Sequence, residues 1–94
     1  MRTTKISGRN RRHRIFMYTL STCAWCKMAK KFFKDNSIES EYIDVDLCDA
    51  KDYEEIRRDV HNRGGQMSFP VIIIDDRLLI NGFQKDKIEK ALEI

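Results

Sequence analysis

The feature that most constrains this chain is a change of pattern around a pair of cysteines. Ile15–Thr19 is a short run of β-forming residues. Ser21 and Thr22, both able to cap a helix, follow. Then come Cys23–Ala24–Trp25–Cys26 and a stretch to Lys34 in which Cys26, Ala29, Phe32 and Phe33 recur at helical spacing. A strand thus runs into a helix, and the Cys-x-x-Cys lies where the helix opens. The rest continues the alternation. Glu41–Val45 reads as a strand, and Asp49–Arg63 as a polar helix burying Tyr53, Ile56 and Val60. Gly64 and Gly65 end that helix. Val71–Ile74 and Leu78–Ile80 are strands joined by a tight turn at Asp75–Asp76. Asn81–Gly82 turns the chain into a last helix, Lys85–Leu92.

The order βαβαββα predicts an α/β domain with a mixed four-stranded sheet flanked by three helices. The early strands are parallel through a right-handed crossover, and the late hairpin is antiparallel. A length of 94 residues allows one domain, placed at residues 15–94. Residues 1–14 are nearly free of apolar residues and read as a flexible basic N-terminal arm. No stretch is long and apolar enough to span a membrane, and the N-terminus lacks a secretory h-region.

Charge is unevenly spread. The net charge is +3, yet no acid precedes Asp35, and residues 1–34 hold ten of the 18 Lys and Arg. Six of these are in the arm; the others are Lys27, Lys30, Lys31 and Lys34. The arm is read as a solvated tail in preference to a nucleic-acid contact.

Three cysteines, two of them close together, do not make a disulfide framework. They fit a reducing, cytoplasmic setting. Structural zinc needs four ligands, and only Cys48, His13 and His61 remain beside the pair, so no metal is expected. Redox exchange accounts for the context. Unpaired N–H groups and the dipole at a helix N-terminus favour an anion. Cys23 therefore reads as a low-pKa attacking thiolate and Cys26 as the inward-facing resolving thiol. Lys27 adds positive potential. Cys48, among Asp46 and Asp49, reads as an unreactive packing residue, and His61 as a surface residue.

Three segments in order give the chain its likeness. They are Tyr18–Cys26, Ser68–Phe69–Pro70 and Ile80–Asn81–Gly82–Phe83. Together they resemble the glutaredoxin family of the thioredoxin superfamily, over about Ile15–Leu92. The resemblance implies a thioredoxin-like fold, a cis Pro70 facing Cys23, and thiol–disulfide oxidoreductase activity without a permanently bound cofactor. It also implies that Trp25, Lys27, Ser68, Phe69, Pro70, Gly82 and Phe83 meet the substrate, with the Phe69 backbone pairing to a peptide or glutathione like an added strand. The chain departs from the family at Ala24, where Pro is usual, and at Leu20, where a Lys holds a glutathione carboxylate. Asn81–Asp86 is similar to NrdH-type redoxins, reductants of ribonucleotide reductase that are themselves reduced by thioredoxin reductase. The implied partners are a disulfide-containing protein and either glutathione or thioredoxin reductase, acting on a monomer. Two other classes are kept as alternatives: an iron–sulfur carrier using Cys23 and glutathione, and a nucleic-acid module using the arm. The second Cys and the bulky Trp25 disfavour the carrier.

Overall fold

The computed structural model describes residues 1–94. Its elements are β1 (Thr4–Ile6), β2 (Ile15–Thr19), α1 (Ala24–Asp35), β3 (Ser40–Asp44), a 3₁₀ turn (Val45–Leu47), α2 (Ala50–Asn62), β4 (Val71–Ile74), β5 (Leu78–Asn81) and α3 (Lys85–Leu92). They form one mixed sheet in the order β1-β3-β2-β4-β5. β2 and β3 are parallel, and every other pairing is antiparallel.

Side chains alternate across a strand, so each central strand feeds two cores. Ile15 and Met17 of β2 and Ile72 and Ile74 of β4 pack with Ala29 and Phe33 of α1 and Ile88 and Leu92 of α3. Tyr18 of β2 and Val71 and Ile73 of β4 pack on the other face with Ile56 and Val60 of α2. This explains why Val71–Ile74 is apolar throughout: all four residues are buried, two on each side. The thioredoxin-like arrangement expected from the sequence is therefore present. Tyr53 departs from expectation, being 43% exposed, while Ile56 and Val60 carry the packing of α2.

The sheet has five strands, not four, because residues expected as a flexible arm supply β1. Thr4–Ile6 pairs along the open edge of β3 in the register Thr4↔Tyr42, Lys5↔Glu41 and Ile6↔Ser40. Three residues with one apolar side chain show no periodicity, and it is the free backbone of an edge strand that captures them. The return of the arm needs a close approach that only glycine allows. A Cβ on Gly8 would lie 2.4 Å from the Ser37 carbonyl oxygen. Beyond it, Asn10 N–H bonds Ser37 O at 2.9 Å and Glu39 N–H bonds Asn10 O at 3.0 Å. His13 and the Arg14 amide then hold Asp75 at 2.7 and 2.9 Å. Asp75 itself, with Asp76, has positive φ, 55° and 56°, as a tight hairpin turn demands.

Candidate functional site

The register gathers the sequence motifs at one end of the sheet. Tyr18 of β2 lies opposite Val71 of β4, and Val71 lies opposite Asn81 of β5. The loop that follows β2, the Ser68–Phe69–Pro70 segment before β4, and the Gly82 turn after β5 therefore come to the same edge. The Phe69–Pro70 bond is cis. Pro70 is buried, and its carbonyl accepts the Gly82 N–H at 2.8 Å. Gly82 has φ +83°, which disfavours any side chain there. Asn81 Nδ2 donates to the Ser68 carbonyl at 3.1 Å and to Gln66 O, tying the segment to β5. Phe83 packs into the core beside Phe32, with ring centroids 5.8 Å apart.

The dithiol is asymmetric. Cys23 is the N-cap of α1, not part of its first turn, and neither Ser21 nor Thr22 caps the helix. The Cys23 Sγ itself takes that role, accepting the Cys26 N–H at 3.2 Å. It is partly exposed. Ser21 is used differently: its amide and hydroxyl both donate to Asp46, holding that carboxyl below its usual range. Cys26 is fully buried, 0% exposed, and its Sγ accepts the Leu20 N–H at 3.4 Å. Burial pushes its thiol up to about 12, reinforced by the Cys23 sulfur and opposed by the Leu20 N–H and by Lys30. Trp25 is 58% exposed at the surface beside the pair, and Lys27 is exposed one turn on. Cys48 is partly buried, with its thiol raised first by burial and then by Asp52 and Asp49.

A second layer went unread in the sequence. Thr19, wholly buried at the end of β2, donates to Asp44 at 2.7 Å and to the Ile43 carbonyl at 3.2 Å. The same Asp44 oxygen takes the Lys30 ammonium at 2.9 Å, and that ammonium lies 4.0 Å from the centre of the Tyr42 ring. Lys30 is therefore folded inward. Its place, four residues after Cys26 on one helix face, was the available signal. Thr19 in turn anchors the chain just before Leu20, whose N–H reaches Cys26. Lys30→Met is expected to raise the Cys26 thiol further and slow its reaction several-fold at neutral pH. The pH profile of that step should move to the alkaline side, and Lys30→Arg should restore it. An unmoved profile in Lys30→Met would remove Lys30 from the site.

Alkaline stability gives an independent check. The Cys26 thiol stands near 12 in the fold against an ordinary value of 9.0. Its contribution to stability is then complete below the ordinary value and is lost as pH rises toward the folded one. Denaturation midpoints of the reduced protein should fall as pH climbs past about 9. Cys26→Ser should remove part of the decline. The remainder belongs to Tyr18, raised by burial and its bond to Asp59, and to Cys48. An identical decline in Cys26→Ser would contradict the burial argument.

Fold and site together define a thioredoxin-like protein carrying a dithiol at a helix N-terminus. Comparisons with known proteins narrow the class. The glutaredoxin family model matches residues 15–79. An uncharacterized glutaredoxin-like 8.6 kDa protein in the rubredoxin operon of Clostridium pasteurianum is 36% identical over 80 residues, 84% of this chain and 97% of that protein. The crystal structure of the glutaredoxin from Methanosarcina mazei Go1 matches with a TM-score of 0.86 and 36% identity, over 100% of this chain and 90% of that one. Methanosarcina acetivorans methanoredoxin matches with a TM-score of 0.80 and 35% identity, over 94% and 90%. The chain belongs to the glutaredoxin family, and its chemistry is thiol redox chemistry. No helix is long and apolar enough to cross a membrane.

Proposed function

We propose that the protein is a dithiol oxidoreductase that reduces disulfides of proteins or small molecules. The observation that carries this is the asymmetry of the pair: Cys23 Sγ is partly exposed at the helix cap, and Cys26 is buried with a raised thiol. Cys23 attacks as the thiolate. It bonds to one sulfur of the substrate disulfide and expels the other as a thiolate, which takes up a proton. Cys26 then loses its proton and attacks the Cys23 sulfur. The second substrate thiolate leaves, and the pair is oxidised to a disulfide. Two electrons from an external thiol reductant, glutathione or a thioredoxin reductase, restore it.

Docking of an extended segment is supported at Phe69. Its peptide N–H and C=O make no hydrogen bond within the chain, so they are free to pair with an added strand. Trp25 offers an exposed ring next to Cys26 in the chain, and Ser68, Pro70 and Gly82 shape the backbone of the contact. Leu20 stands where the family has a Lys for a glutathione carboxylate, so the test compares two donors. The oxidised protein should be offered glutathione with glutathione reductase, or thioredoxin reductase, each with NADPH and insulin as substrate. Sustained insulin reduction with at least one donor is the expected result. No turnover with either overturns the reading.

A further inference from the structure

The arm and α1 were two separate basic stretches in the sequence, and the fold makes them one surface. β1 joins the edge of the sheet beside β3, under the flank of α1. Between them lies a cleft of about 430 Å³ lined by Ile6, Tyr42, Lys30, Lys31, Lys34 and Asp35. The backbone bonds of Asn10 to Ser37 and Glu39 put Arg9, Arg11 and Arg12 past the C-terminal end of α1. A band of positive charge thus starts one turn from Cys23 and runs the length of the helix to the arm. The negative charge is across the sheet. Residues 45–62, which include α2, hold six acids against three bases.

The band is not uniformly basic. Glu39 takes both Lys5 and Arg11, Asp35 takes Lys31, and Asp44 takes Lys30. Lys27, Lys34, Arg9 and Arg12 have no ion-pair partner. On the flank of α1 next to the band two apolar side chains are exposed, Met28 at 49%, three residues before Lys31, and Trp25 at 58%. They are three apart on α1 and so share a side. Aromatic and methionine side chains beside a polar rim are the make-up of a protein contact. A continuous phosphate backbone would meet Asp35 and Glu39 along the way, whereas spaced carboxylates need only the unpaired bases.

We infer that the face formed by α1 and the N-terminal arm docks an acidic protein segment and guides its disulfide to Cys23. This rests on the oxidoreductase reading above and specifies its substrate class. Attraction of this kind acts mainly on the rate of encounter and fades with salt.

The test uses the reduced full-length protein and single turnovers followed by Trp25 fluorescence, so that no donor is involved. The substrates are disulfides of short peptides rich in Asp or rich in Lys, with neutral hydroxyethyl disulfide beside them. At low ionic strength the Asp-rich peptide should react faster than the Lys-rich one by about tenfold or more. The ratio should approach one in high salt. It should also shrink several-fold in the double variant Lys31→Glu, Lys34→Glu, and likewise in Arg9→Glu, Arg12→Glu, which leaves α1 untouched. Because the ratio compares two substrates on one protein, partial loss of fold does not imitate the effect. A ratio near one at low salt in the unaltered chain overturns the inference. So does a ratio that neither double variant changes, or salt-sensitive binding of duplex DNA tighter than that of the Asp-rich peptide. Failure of hydroxyethyl disulfide to react at all would instead sink the oxidoreductase reading.

Discussion

Replacing Cys23 with Ser is expected to reduce disulfide turnover to the uncatalysed rate. Serine keeps the size and the capping position, and its hydroxyl still accepts the Cys26 N–H. What it lacks is a sulfur that can attack a disulfide and form the mixed disulfide. The fold should survive, which circular dichroism can show, so loss of activity reports chemistry. Cys26→Ser should behave differently. Cys23 still attacks, but no buried thiol is present to break the mixed disulfide. The protein should accumulate with one substrate half bound to Cys23, visible as a mass increase equal to that half. Turnover retained in Cys23→Ser, or an adduct on Cys26 in the unaltered chain, would reverse the assigned roles.

The largest expected loss of stability comes from Phe33→Ala. Phe33 is 0% exposed on α1 and meets Phe32 edge to face, with ring centroids 5.4 Å apart. It belongs to the cluster that joins α1 to Ile15 and Met17 of β2 and to Ile88 of α3. Truncating such a ring leaves a cavity and costs about 3–5 kcal/mol. A small domain has only about 5–15 kcal/mol in all, so the variant should be near its unfolding limit at room temperature. Urea denaturation measures this, and a loss below about 1 kcal/mol would mean that α1 is held by something else. The effect reaches function because the first turn of α1 positions Cys26, and its cap is Cys23.

The legible part of the molecule was the part governed by local periodicity. Val71–Ile74, Leu78–Asn81 and Lys85–Leu92 were found within a residue of their expected limits, because alternation and turn chemistry are properties of neighbouring residues. The dithiol was legible too, as a spacing between a strand and a helix. The role of Ser21 was misread for a physical reason. Either Ser or Thr can cap a helix, but the choice depends on Asp46, which lies 25 residues away and outcompetes the helix for the hydroxyl.

Sequence by itself determined the order of elements, the position of the Cys23–Cys26 pair at the opening of α1, and the charge imbalance between the two parts of the chain. Tertiary structure alone decided three things. It put β1 on the sheet, since an edge strand recruits backbone, which no side-chain pattern announces. It folded Lys30 onto Asp44, which Thr19 also holds, because a lysine reads as solvent-facing until a half-buried carboxylate is brought beside it. And it joined the arm to α1 as one basic face, since charges far apart in the chain add only when the fold places them on the same side.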